Sequence, residues 1–81
     1  MARADKTLDR MRANPRDWRI GRLEAVAAAH GINIRRSGGR HVVFEHPAVA
    51  EAVSVPARRP IKPVYIRRFV ALIDAVRASH E

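Results

Sequence analysis

Residues 32–45 read INIRRSGGRHVVFE, and they influence the predicted fold more than any other stretch. Apolar and polar residues alternate before and after Gly38 and Gly39, and a period of two is typical of strands that are buried on one face. Adjacent glycines accept positive φ angles without a steric clash, which favours a tight turn. The stretch therefore predicts a hairpin whose second strand begins at His41.

The flanking segments predict a third strand and two helices. Residues 52–55 alternate again and form the third strand. Apolar residues at helical spacing precede Gly31, which ends the first of these helices. Pro63 suits the first position of the last helix. We expect an α+β fold in the order α-β-β-β-α, with a three-stranded antiparallel sheet and both helices on one of its faces.

The N-terminal segment has a different composition. Residues 1–13 are rich in charge, and Leu8 and Met11 are their only sizeable apolar groups. We expect this segment to be mobile or loosely helical. Pro15 marks a break, after which residues 14–81 form a single domain. A chain of this length has no room for a deep substrate cavity.

The charge of the chain favours a polyanionic partner. It has 16 Lys and Arg against 8 Asp and Glu, a net charge of +8 that suits nucleic acid. All the basic residues except Lys6 and Lys62 are arginine, whose planar fork binds phosphate oxygens in pairs. A merely soluble surface, or a compositional bias of the source genome, would give the same excess, so charge alone leaves the partner open.

Several residue types and patterns are missing. The chain has no cysteine, which excludes disulfides and thiolate zinc sites. No pair of His, Asp or Glu shows the spacing of a metal site, so no metal and no cofactor is implied. Neither a signal peptide nor a membrane span is recognisable. We expect a cytoplasmic protein without a membrane partner.

The strand pattern also predicts which side chains face solvent. If Phe44 points toward the helices, Val42 joins it, and His41 points outward on the same face as Arg35. From the residues alone His41 has two interpretations: an exposed strand histidine without a role, or a functional group on a basic face. The remaining histidines are expected at the ends of elements, without a catalytic role: His30, His46 and His80.

Two segments resemble the HicA family of toxins. Residues 39–44, GRHVVF, resemble its Gly-Ser-His-hydrophobic-hydrophobic-Phe signature, and residues 55–66, VPARRPIKPVYI, resemble its valine-proline loop and last helix. The two blocks stand in the family's order, in a resemblance that covers most of residues 14–76. Arg40 stands where serine is usual, and Arg58 stands where a second histidine often follows the valine-proline pair.

The resemblance implies a fold like the double-stranded RNA-binding domain, and an mRNA interferase that a HicB-type antitoxin inhibits. The family's catalytic histidine falls on His41. RNA supplies its own 2′-hydroxyl nucleophile, so a metal-independent ribonuclease needs a proton carrier such as histidine and cations for the phosphate. The candidate RNA-binding residues are Arg35, Arg36, Gly39, Arg40, Arg58, Arg59 and Lys62.

Two other functions remain open. A module without catalysis would bind structured RNA through phosphate and 2′-hydroxyl contacts. A partner-binding protein would present its basic face to an acidic protein and would show no salt-sensitive affinity for RNA. Pro56 and Pro60 enclose Arg58 and Arg59, and this rigidity favours phosphate contact because less entropy is lost on binding.

Overall fold

In the computed structural model, which describes residues 3–58 and 60–79, helices and strands follow in the order α1 (Arg3–Ala13), α2 (Ile20–Ala29), β1 (Asn33–Ser37), β2 (His41–His46), β3 (Val49–Pro56) and α3 (Pro63–Ala78). The strands form one antiparallel sheet in the order β1-β2-β3. The α+β class and the order from α2 to α3 are as predicted, and α1 is an additional helix.

The pairing of the strands settles which side chains share a face of the sheet. Phe44 lies opposite Ile34 of β1 and Val53 of β3, and residues paired across an antiparallel sheet point to the same side. Side chains two positions apart also share a side. The inner face carries Ile34, Arg36, Val42, Phe44, Val53 and Val55. The outer face carries Asn33, Arg35, His41, Val43, Glu45, Ser54 and Pro56.

Both α2 and α3 cover the inner face. Phe44 meets the ring of Phe69 in α3 edge-on, with ring centroids 4.9 Å apart. Arg36 in β1 donates a hydrogen bond of 2.7 Å to Glu24 in α2. Because Phe44 and Arg36 belong to the same face, the two helices lie on the same side of the sheet, as predicted. His41 on the opposite side is exposed.

Helix α1 places the N-terminal segment against the rest of the fold. The sequence predicts a mobile or loosely helical segment, and in the structure residues 3–13 form a helix that packs against α2 and α3. Leu8 and Met11, which lie three residues apart and so on one helix face, are fully buried in the core. Arg12 forms hydrogen bonds of 2.6 and 2.9 Å with Asp74 in α3. Residues 3–13 therefore share the core of the domain.

The ends of the other elements follow from local residue chemistry. Arg19 precedes α2 as its N-cap residue, and Pro63 begins α3. Strand β3 is longer than predicted because His46 pairs with Val49 across a tight turn, with an irregularity in the pairing between Phe44 and His46. Among the helices of the described ranges, none has the length and apolar character needed to cross a membrane.

Candidate nucleic-acid interface

His41 lies at a corner of the sheet. It is the first residue of β2, it is exposed on the outer face, and it pairs with Pro56, the last residue of β3. Its side chain forms no hydrogen bond or ion pair with another residue of the described ranges. The imidazole is therefore open to a ligand on the surface and can exchange a proton directly with it.

The basic loop between β3 and α3, residues 57–62, is fixed at both ends by backbone hydrogen bonds. The N–H of Ala57 donates to the carbonyl of Arg40 at 2.9 Å, and the N–H of Ile61 donates to the carbonyl of Trp18 at 3.1 Å. The Ile61 side chain is buried in the core. Arg58, which follows Ala57, is thereby held beside the start of β2. We call the group formed by Arg40, His41 and Arg58 the His41 corner; all three side chains are exposed.

The other predicted RNA-binding residues are distributed unevenly around this corner. Arg35 shares the outer face with His41, and its Nε lies 3.3 Å from a carboxylate oxygen of Glu45. Arg36 lies on the inner face and is engaged with Glu24, so the structure places it away from His41. Gly39 belongs to the turn before β2 and has a φ of 75°.

The far end of the loop holds the last of the predicted cations. Lys62 is exposed and is the N-cap residue of α3, where the positive end of the helix dipole adds to its charge. Arg59 lies outside the described residues. The structure thus brings the backbone of Arg58 close to that of Arg40 and His41. It leaves Lys62 at the other end of the same loop and separates Arg36 from His41.

A further group of arginines was not predicted from the sequence. A depression of about 360 Å³ is lined by Arg10, Asn14, Arg16, Asp17, Trp18, Arg19 and Arg22. We call it the Trp18 pocket. Its sequence signal is the spacing of three between successive arginines from Arg16 to Arg22 around the single tryptophan. The pocket adjoins the basic loop because the backbone of Trp18 is hydrogen-bonded to that of Ile61.

A larger depression than the Trp18 pocket lies elsewhere. It has a volume of about 640 Å³ and lies between β3 and α3, where Val53, Ala71 and Leu72 give it an apolar floor and Arg68 borders it. None of the residues of the His41 corner lines it. This is compatible with an RNA-directed site because the phosphodiester backbone of a polymer is reached at a surface and needs no enclosed cavity.

The described ranges contain no group of three His, Cys, Asp or Glu side chains placed to hold a metal ion. The functional groups available at the His41 corner are an imidazole and two guanidinium groups. Imidazole transfers protons near neutral pH, and guanidinium groups bind phosphate oxygens and neutralise developing negative charge.

The fold and the His41 corner define a small α+β protein with an exposed histidine near exposed arginines. Comparison with models of known families, with curated proteins and with solved structures gave no match. The likeness to HicA toxins and to the double-stranded RNA-binding domain therefore stays a prediction from the sequence.

Proposed function

We propose that this protein is an RNA-cleaving toxin, an mRNA interferase, in which His41 transfers the proton and the neighbouring arginines hold the scissile phosphate. The observation that carries the proposal is the hydrogen bond from the N–H of Ala57 to the carbonyl of Arg40, because it brings the backbone that bears Arg58 to the start of β2, where His41 is exposed. An exposed proton carrier on a segment that also bears exposed cations matches the chemical requirements of RNA cleavage.

The proposed step needs only the RNA, His41 and water. The neutral imidazole accepts the proton of a 2′-hydroxyl, and the 2′-oxygen forms a bond to the adjacent phosphorus. The bond from phosphorus to the 5′-oxygen breaks, the leaving oxygen takes a proton from water, and the hydroxide that remains takes the proton from the imidazolium of His41. Arg40 and Arg58 stabilise the negative charge that builds up on the phosphate oxygens during this exchange.

Two features near the corner support phosphate binding. Lys62 and the start of α3 add a positive field at the far end of the loop. Pro56 and Pro60 restrict the backbone on either side of Arg58, which lowers the entropy lost when a phosphate is bound. Arg35 extends the positive surface across the sheet, although Glu45 partly neutralises it.

Cellular partners belong to the same proposal. The substrate is mRNA, which places the site of action in the cytoplasm. The inhibitor is a HicB-type antitoxin that covers the outer face and sets acidic groups against Arg35, Arg40 and Arg58. Complementary charge of this kind would speed association and fix the orientation of the complex.

The experiment that tests the proposal is a cleavage assay with purified protein and RNA in the presence of EDTA. We expect the wild type to produce fragments and His41→Gln to lose at least about a hundredfold in rate. Ser54→Ala, on the same exposed face, is the matched control and should cleave normally. Unchanged cleavage and growth arrest by a folded His41→Gln variant would show that the mechanism is wrong.

A second candidate function is binding of structured RNA without cleavage. It is favoured by the absence, within the described ranges, of any side chain bonded to His41 that would orient its ring, since catalytic histidines are usually held by a further group. Salt-sensitive retention of RNA by the wild type, with no fragments in the same assay, would support this function instead.

A further inference from the structure

The Trp18 pocket concentrates positive charge that no ion pair within the described ranges neutralises. Its arginines, Arg10, Arg16, Arg19 and Arg22, form no ion pair with any residue of the described ranges. Other arginines of the chain do have such partners: Arg12, Arg35, Arg36 and Arg77. Asp17 is the one acidic residue that lines the pocket. Like charges held together repel, so an anion bound in this pocket would lower the free energy of the arrangement.

The local backbone increases this imbalance. Arg19 and Arg22 lie at the start of α2, whose first turn has no acidic residue and whose N-cap has no side-chain hydrogen bond. Cations are disfavoured at the positive end of a helix dipole. The two residues are therefore poorly placed for stability, which points to a role in binding rather than in folding.

Trp18 gives the pocket a rigid aromatic wall. Its Nε1–H donates a hydrogen bond of 2.7 Å to the carbonyl of Asn14, and its backbone carbonyl accepts from Ile61. The side chain is only half-buried. It also lines a neighbouring depression together with Asp17, Arg19 and Pro60. An indole fixed in this way, with surface left open, is suited to stack on a nucleic-acid base.

The pocket and the His41 corner are joined by one short loop. Ala57 forms a backbone hydrogen bond with Arg40 at one end, and Ile61 forms one with Trp18 at the other. The chain between Ala57 and Ile61 spans at most about 14 Å even when fully extended. One RNA strand that crosses this loop can therefore reach both places with a few nucleotides.

We infer that the Trp18 pocket is a second binding site for the single-stranded RNA that the His41 corner cleaves, with Trp18 stacking on a base and the arginines binding the phosphates beside it. This inference rests on the proposed function for the identity of the ligand. It extends that function by giving the RNA a direction across the surface, from His41 along the basic loop to Trp18. Interleaved aromatic and basic groups are the usual means by which proteins bind single strands.

Trp18 provides the first test because it is the single tryptophan of the chain. We expect an unstructured RNA of about 12 nucleotides to quench the tryptophan fluorescence, with the same concentration dependence as binding measured by anisotropy of labelled RNA. Binding of that RNA without any change in tryptophan emission would overturn the inference.

The second test changes charge without touching the tryptophan or the core. In the double variant Arg16→Gln/Arg22→Gln, both positions are exposed. We expect KM for the RNA of about 12 nucleotides to rise roughly ten- to thirtyfold. The slope of log affinity against log salt should become shallower by about 1.4, which corresponds to two lost phosphate contacts. Cleavage of an RNA of about 4 nucleotides, which fills the His41 corner alone, should be unchanged.

The control and the outcomes separate this inference from the proposed function. Arg67→Gln/Arg68→Gln removes the same charge from the exposed side of α3 and should leave KM for both RNAs within about twofold, by reference to the small effects of exposed charges. Wild-type KM in Arg16→Gln/Arg22→Gln, with cleavage that still depends on His41, would overturn the Trp18 site alone. RNA that quenches Trp18 but is never cleaved would support the site and overturn the nuclease. RNA that neither binds nor is cleaved would overturn both.

Discussion

The backbone N–H of Ala57 donates a 2.9 Å hydrogen bond to the carbonyl of Arg40. Arg40 ends the turn before β2, and Ala57 begins the loop after β3, so this bond extends the pairing of β2 and β3 beyond His41 and Pro56 to the two basic segments. The position of Arg58 relative to His41 depends on it. Removing this hydrogen bond therefore tests the geometry of the proposed active site without altering any of its side chains.

Ala57→Pro should uncouple the loop from the turn, because proline has no N–H to donate. We expect kcat/KM for RNA cleavage to fall about ten- to a hundredfold, since small displacements of a positioning group cost this much. Ala57→Ser keeps the N–H and serves as the control. Full activity in a folded Ala57→Pro variant would mean that the position of Arg58 does not matter for catalysis.

The turn glycine and a helix glycine should respond in opposite directions to the same substitution. A Cβ at Gly39 or at Gly21 would meet no atom within 4 Å, but Gly39 has a φ of 75°. Gly39→Ala should lower the free energy of unfolding by about 1 to 2 kcal/mol, the cost of a left-handed alanine. Gly21→Ala in α2 should raise it by about 0.5 to 1 kcal/mol. Urea unfolding of the two variants measures both effects, and equal signs would contradict the backbone argument.

The predicted parts of the fold depend on local chemistry. The alternation around Gly38 and Gly39 defines the hairpin and the outward direction of His41, and Pro63 defines the start of α3. Helix α1 could not be predicted as a packed element because it contributes only Leu8 and Met11 to the core. Their burial depends on α2 and α3, which a local pattern does not show.

Only some features of the candidate site could likewise be predicted from the local sequence. The exposure of His41 follows from strand periodicity, and its assignment to catalysis follows from the resemblance to HicA toxins. The separation of Arg36 from His41 depends on Glu24 in another element. The Trp18 pocket depends on the contact between Trp18 and Ile61, which joins residues far apart in sequence, so the arginines around it could not be recognised from local pattern alone.

The contact that fixes α1 to α3 should be sensitive to acid. The guanidinium of Arg12, through its hydrogen bonds, holds the pKa of Asp74 below its ordinary value of 3.8. A carboxyl whose pKa is lower in the folded state stabilises the fold above its unfolded pKa and loses that contribution as the pH falls through the folded pKa. Both side chains are nearly half exposed, so solvent screening keeps the contribution small, about 0.5 to 1 kcal/mol.

Asp74→Asn tests this contribution. We expect a lower free energy of unfolding at neutral pH, by the amount above, and a smaller loss of stability than in the wild type on going to about pH 3. Arg67→Gln, at an exposed position of the same helix, is the control for a general change of charge. An equal acid-induced loss in Asp74→Asn and the wild type would show that Asp74 is not the group responsible.

The Trp18 pocket should trade stability for binding. Arg22 lies in the first turn of α2, near three other arginines and the positive end of the helix dipole. Arg22→Glu should therefore remove the repulsion between Arg22 and these arginines, and the new carboxylate should be attracted to them and to the helix dipole. We expect the free energy of unfolding to rise by about 0.3 to 1 kcal/mol, or roughly 1 to 8 °C in Tm, while affinity for single-stranded RNA falls. Arg77→Glu is the matched reversal in the last turn of α3, where Arg77 lies 3.7 Å from Asp5. It should lower Tm, because a cation is favoured at that end of a helix.

Thermal unfolding of both variants compares the two helix ends directly. A lower Tm in Arg22→Glu would mean that Arg22 contributes to folding, and its place in the pocket would then need no ligand to explain it.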